Sequence, residues 1–438
     1  MNTWKLWASL ASSALLLAAC GGGGSTPGDT GNSAATSAAT AATTATAVAD
    51  ATASRGPVNP PPPAQDPDAA LTPLQRLGKR IFTDTNLSEP RGMACVTCHQ
   101  PTMGFAGNNG SRIGVAQGSR PGVFGFRNAM TNAYSGFVPT FSFVTDAGGT
   151  EASGGHFWDG RADTLELQAL GPFLAAAEMN NPSAKAVVDK IAASAYADQF
   201  RQAFGANVFA NADTAYTQVG VAIAAFERSS QLQGFTSKYD AMVRGQVRFT
   251  PAEARGMALF TDSNRANCSG CHLMNPASGK PEDSLFSEFT YYATGIPRNT
   301  AIPANADVNF FDLGLCGPAR SKPTLPSTVP ANVSIDQFCG KFRMPTLRNV
   351  AERPAFMHNG FFKDLREVLR FYATRNSNPV RWYGPSGVPN DLPAAYLGNI
   401  EAAKAPFNRS RADGPLLSDA EIDDLLAFLG TLSDGFRP

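Results

Sequence analysis

Two stretches, CVTCH at 95–99 and CSGCH at 268–272, constrain this chain more than any other feature. Each sets two thiols three positions apart and puts an imidazole directly behind the second. Cys-x-x-Cys-His is the attachment signature of c-type haem. The thiols add to the two vinyl groups of one porphyrin, and the histidine comes under the ring as a neutral iron ligand. A thioredoxin-like redox pair needs a βαβ context, and none is visible. A four-thiolate zinc site usually joins its two pairs across a short loop, whereas these pairs are far apart in the chain. Neither alternative uses the histidines. The reading is two covalent haems c, held by Cys95 and Cys98 and by Cys268 and Cys271, with His99 and His272 as proximal ligands.

A related stretch precedes each motif: TPLQRLGKRIFTDTN from Thr72 and TPAEARGMALFTDSN from Thr250. They share Thr-Pro at the start, Gly at the seventh position, Phe-Thr-Asp at the eleventh to thirteenth and Asn at the fifteenth. Thr72 and Thr250 read as helix N-caps, Pro73 and Pro251 as first helical residues, and Gln75 and Glu253 as the closing partners of capping boxes. Each copy is therefore a helix, a loop and a haem turn. The run from Thr214 to Val243 keeps helical spacing without a strong breaker, and is expected to lead from one copy to the other. LSDAEIDDLLAFLGTL, from Leu417, is another amphipathic helix with Ser418 and Glu421 as its box. Strand signals are sparse. The expected fold is mainly α, two c-type cytochrome domains in tandem, spanning 71–246 and 247–438.

The 438 residues carry 36 basic and 36 acidic side chains, so no charge excess points to nucleic acid. Lys5 precedes an apolar run, Leu6 to Leu17, of the length of a signal-peptide core and too short to span a bilayer. It ends in LAAC, which resembles the lipobox of bacterial lipoproteins, with Cys20 as the lipidated residue; an ordinary signal peptide is the alternative. Residues 1–20 are thus read as a leader. Residues 21–70, rich in Gly, Ala, Thr and Pro, are read as a disordered tether, since few apolar side chains offset its ordering entropy. These readings place the globular part on the periplasmic side of a membrane, held there by a lipid anchor. Of seven cysteines, Cys316 and Cys339 remain. In an oxidising compartment they are expected to form a disulfide, with two free buried thiols as the alternative.

Two further blocks, HFWDGRADTLELQALGPFLAAAEM and FRMPTLRNVAERPAFMHNGFFKDLREVLRFYATR, resemble the bacterial dihaem cytochrome c peroxidases and their MauG-type relatives. The resemblance runs from about Thr72 to Leu432. It implies a peroxidatic N-terminal haem, an electron-transfer C-terminal haem and a tryptophan between them, matched by Trp158. It also implies a distal glutamine, proline and glutamate, matched by Gln168, Pro172 and Glu178. A carboxylate in that position can take a proton from one peroxide oxygen and deliver it to the other before the O–O bond breaks. The family further holds calcium between its domains. Asn128 matches the side-chain ligand, and the carbonyls of Arg353 and Ala355 match the backbone ligands, although RPAFMH shifts the usual proline by one. The partners implied are hydrogen peroxide and either an electron-donor protein or an oxidisable protein substrate.

Two departures favour the MauG-like branch. Many family members block the peroxidatic iron with a histidine from the loop after the first haem turn. Here that loop, QPTMGFAGNNGSRIGVAQGSRPG, has Met103 but no histidine, so the N-terminal haem is expected to be open without prior reduction. Where those members ligate the C-terminal haem through methionine, counting from His358 arrives at Tyr372, as in MauG. A phenolate is a hard anionic donor that stabilises oxidised iron, whereas a thioether favours the reduced form. Met357 or His358 is the alternative sixth ligand. An ordinary cytochrome c peroxidase with a small cytochrome or cupredoxin donor and a non-catalytic dihaem electron carrier are the competing functions.

Overall fold

The capped helices form where the sequence places them. In this computed structural model, which describes residue 66 and residues 68–437, α1 (Pro73–Thr83) opens on Thr72, whose hydroxyl accepts from the Gln75 amide while Gln75 caps Thr72 in return. The leader, Cys20 and most of the tether lie outside the described residues. The first haem turn is α2 (Cys95–Cys98). A hairpin of β1 (Ser142–Asp146) and β2 (Gly149–Ser153) precedes α3 (Leu165–Leu174), α4 (Ala184–Ala192), α5 (Ala197–Phe204) and α6 (Ala212–Glu227). Then come α7 (Lys238–Val243), α8 (Pro251–Thr261), the two-residue ladder of β3 (Tyr291–Tyr292) with β4 (Phe342–Arg343), α9 (Leu365–Thr374), α10 (Pro379–Tyr383) and α11 (Asp419–Gly430). The α8 and α11 capping boxes, Thr250 with Glu253 and Ser418 with Glu421, are both present. Among the described residues no helix is long and apolar enough to cross a membrane.

The repeat is a packing device. α1 lies on α6 and α8 lies on α11, and in each pair the shared glycine is the point of closest approach. A Cβ on Gly78 would stand 1.9 Å from the Ala222 carbonyl oxygen, and one on Gly256 would stand 2.0 Å from that of Asp424. The shared phenylalanines, Phe82 and Phe260, are each 1% exposed and pack edge-on against Phe226 and Phe428 of the partner helices. Burying such a ring stabilises the fold by roughly 1.5–3 kcal/mol. Apolar residues gather in two main cores, one drawn from 71–232 and the other from 239–432.

One expectation is corrected. The run 214–243 is not continuous helix: α6 stops at Glu227 and α7 starts at Lys238. Ser229, Ser230 and Gly234 are weak helix formers, and Phe235 takes a left-handed φ of 47°. Tertiary contacts decide the break, because the Tyr134 amide donates to the Leu232 carbonyl and the Phe235 amide donates to the Tyr134 hydroxyl. Cys316 and Cys339 are joined as a disulfide.

Candidate active site

Each Cys-x-x-Cys-His turn opens into its own cavity. Cys95, Cys98 and His99 line the first, and Cys268, Cys271 and His272 line the second. None of the four thiols is in a disulfide, and burial pushes Cys98 and Cys268 up to about 12 and Cys271 up to about 11. The two thiol pairs line separate cavities. Both histidines are oriented alike. Nδ1 of His99 lies 3.0 Å from the Phe105 carbonyl oxygen, and Nδ1 of His272 lies 2.8 Å from that of Phe286. Donation from Nδ1 fixes the tautomer and makes Nε2 the acceptor nitrogen. Burial lowers both imidazoles, His272 to about 4, which favours their neutral forms. Apolar side chains such as Phe260, Ile296 and Leu425 wall the second cavity. These residues fit haem c.

Gln168, Pro172 and Glu178 come together in the first cavity. Gln168 and Pro172 stand four positions apart on α3 and so share a helix face. Glu178 follows in the turn that ends α3, and burial pushes its carboxyl up, against a smaller opposing pull from Arg161. Ser119 donates its amide to the Glu178 carbonyl oxygen, so the loop after the haem turn packs here. The histidines lining this cavity are His99 and His156, and burial lowers His156 to about 4. Tyr372 lines the second cavity with His272 and stacks on Phe407 at 5.1 Å. Burial pushes its phenol up, and among the described residues the hydroxyl makes no hydrogen bond. Met357 and His358 also line that cavity, but His358 is engaged by Asp391 at 3.1 Å and stacks on Phe342 at 3.6 Å.

Trp158 lines both cavities and is 8% exposed. Its indole donates to the Asn128 carbonyl oxygen at 2.8 Å. The Asn128 amide in turn reaches the carbonyls of Ala355 at 3.0 Å and Met357 at 3.3 Å. Among the described residues no hydrogen bond links Asn128 to Arg353.

Three features escaped the sequence reading. First, HFWDGRA and FMHNGFF are a second repeat. The His156 amide donates to the Ala162 carbonyl and the Phe356 amide to that of Phe362. Phe157 and Met357 both take left-handed φ, 65° and 69°, as do Gly160 and Gly360. Thr164 and Asp364 then cap α3 and α9. Trp158 thus corresponds to His358, and Pro172 to Tyr372. The recurring Gly followed by an N-cap was the available signal. Second, Arg343 lines both cavities as a buried cation with no carboxylate partner among the described residues. Burial lowers it to about 10. Its amide donates to the Trp158 carbonyl and its Nε to that of Phe157, clamping the strained turn. Third, Glu227 is 1% exposed in the first cavity, with Oε2 unpartnered and Oε1 accepting from Asn132. Sequence gave no signal for a carboxylate at the end of an apolar helix.

Known proteins share this arrangement. A family profile described as di-haem cytochrome c peroxidase matches residues 73–248. The methylamine utilization protein MauG of Paracoccus denitrificans is 34% identical over 82% of this chain and 88% of its own. The cytochrome c551 peroxidase of Pseudomonas aeruginosa is 26% identical over 78% and 81%. The crystal structure of the diheme peroxidase BthA from Burkholderia thailandensis superposes with a TM-score of 0.75 at 41% identity, covering 82% of this chain and 86% of BthA. Family membership implies two haems c, which the two cavities are built to accept. The chain belongs to the di-haem cytochrome c peroxidase family and is a di-haem oxidoreductase of the peroxidase type.

Proposed function

We propose that this protein is a MauG-like peroxidase that reduces hydrogen peroxide at an N-terminal haem open in the resting state, with electrons relayed through a C-terminal haem held by His272 and Tyr372. The observation that carries this is the correspondence of Pro172 with Tyr372 on equivalent helices. Where α9 offers a phenol to its cavity, α3 offers a ring with no donor atom. Bound at the two turns, haem supplies the redox chemistry. The protein supplies the rest. His99 and His272 present Nε2, and Gln168 hydrogen-bonds peroxide. Glu178, kept protonatable by burial, takes a proton from one peroxide oxygen and returns it to the other. Trp158, common to both cavities, is the relay between the 71–246 and 247–438 domains.

Resting-state EPR of the all-ferric protein should show one high-spin and one low-spin haem, and peroxide should react without prior reduction. Two low-spin signals, or a need for one added electron per chain, would overturn the open site. Tyr372→Phe should change the C-terminal haem spectrum; an unchanged spectrum removes Tyr372 as ligand. Glu178→Gln should slow the peroxide reaction by about 100-fold or more.

A calcium ion held by Asn128 is also part of this reading. With the Asn128 amide turned, Oδ1 would join the Ala355 carbonyl and waters as a hard-oxygen set. Spectra and activity unaffected by chelation would exclude that ion. Lipidation at Cys20 would hold the enzyme on the periplasmic side of the membrane, and Cys20→Ser should then release it to the soluble fraction.

A further inference from the structure

Resting on that function, the structure also narrows where oxidising equivalents leave the protein. Besides Trp158 and Tyr372, the readily oxidised aromatic lining the C-terminal cavity is Tyr292. It sits in β3, held in register opposite Phe342 of β4, and lines the same cavity as Cys271. The Tyr292 hydroxyl donates to Oε1 of Glu288 at 2.9 Å, and Thr290 donates to the same oxygen at 2.7 Å. Nζ of Lys404 donates to the Tyr292 hydroxyl at 3.2 Å and lies 5.1 Å from its ring centroid. Lys404 keeps 48% of its side-chain surface exposed. Tyr292 is itself only partly buried, so one ring both lines the cavity and meets Lys404.

We propose that Tyr292 is the relay residue between the C-terminal haem site and an external one-electron donor too large to enter the cavity. Tyr292 gives one electron inward, to the site oxidised by peroxide, and its phenolic proton to Oε1 of Glu288. The neutral phenoxyl then takes one electron from a donor docked at the rim, and Glu288 returns the proton. Two such cycles, with two protons from solvent, reduce one hydrogen peroxide to two waters. Lys404 explains why the proton leaves with the electron, since an ammonium beside the ring opposes a positive charge on it. Burial and the Glu288 carboxylate push the phenol up, so Tyr292 starts as a neutral phenol that must shed a proton when oxidised.

The test uses the two-haem protein, freeze-quenched after one equivalent of peroxide. Wild type should give a phenoxyl EPR signal that narrows when tyrosine rings are deuterated. Tyr292→Phe should lose that signal and oxidise reduced cytochrome c about tenfold more slowly or worse. Glu288→Gln, which keeps the phenol but removes the proton acceptor, should slow the same turnover and change its solvent deuterium isotope effect. Haem content of two per chain in each variant shows that it has folded. A Tyr292→Phe protein matching wild type in signal and turnover overturns the relay while leaving the proposed function standing. Wild type that fails to react with peroxide overturns that function instead.

Discussion

Glu227 shows how a single buried group couples the N-terminal cavity to pH. Burial pushes its carboxyl up from 4.5 to about 8, opposed by the hydrogen bond from Asn132 and by Arg228. Between those two values the folded chain holds a proton that the unfolded chain releases. The contribution is therefore fully present below about pH 4.5 and is lost as pH rises through about 8. Its slope is at most about 1.4 kcal/mol per pH unit. Glu227→Gln keeps an oxygen for Asn132 and removes the titration. Thermal midpoints measured from pH 5 to 9 should fall more steeply in wild type than in the variant; parallel curves would show that Glu227 does not titrate in this window. The haem histidines belong to the same scale. Their identity was legible in the motif, but the carbonyls of Phe105 and Phe286 that fix their tautomers come from turns the motif does not encode.

At the scale of elements, both repeated helices depend on a glycine against a neighbouring backbone. Gly78→Ala and Gly256→Ala each drive a methyl into a carbonyl group that cannot rotate aside. Higher intrinsic helix propensity, worth about 1 kcal/mol, favours alanine at both places. Overpacking a close-packed site costs roughly 1–3 kcal/mol, so each variant should be destabilised by up to about 2 kcal/mol net. Denaturant midpoints of the two variants check this, and a stabilised variant would mean that the helix pairs can separate cheaply. The capping boxes, helix starts and first repeat were all readable because capping uses residues within four positions of each other. The break at 228–237 was not, because Tyr134 determines it from far away in the chain.

For the whole molecule, Asp434 near the C-terminus ties the small cluster around Tyr134 and Phe235 to Asn349, beside Val350 of the second core. Its carboxylate accepts from the Tyr134 hydroxyl at 2.8 Å, from the amide and hydroxyl of Thr236 at 3.0 Å, and from the Asn349 side chain at 2.9 Å. Asp434→Ala should cost about 2–3 kcal/mol, since hydrogen bonds to a charged group are the stronger kind. It should also broaden or split the unfolding transition as that cluster and the second core lose coupling, which calorimetry would detect. A single, unshifted transition would show that other contacts couple them. Arg127 acts similarly, pairing with Asp159 at 2.7 Å and with Asp312 at 2.6 Å across the chain.

The sequence by itself determined the haem turns, their histidines, the capped helices and the leftover cysteine pair, because each rests on local spacing or on simple counting. It also placed Trp158, Gln168, Glu178 and Tyr372 as candidates through resemblance, without saying what faces what. Only the tertiary structure decided that Trp158 borders both cavities, that Pro172 and Tyr372 occupy equivalent places, and that Glu288 and Lys404 flank Tyr292. Apart from Glu288, four positions before Tyr292, those relations join residues separated by tens to hundreds of positions. Such contacts arise from how helices and turns pack, and no local pattern carries that information.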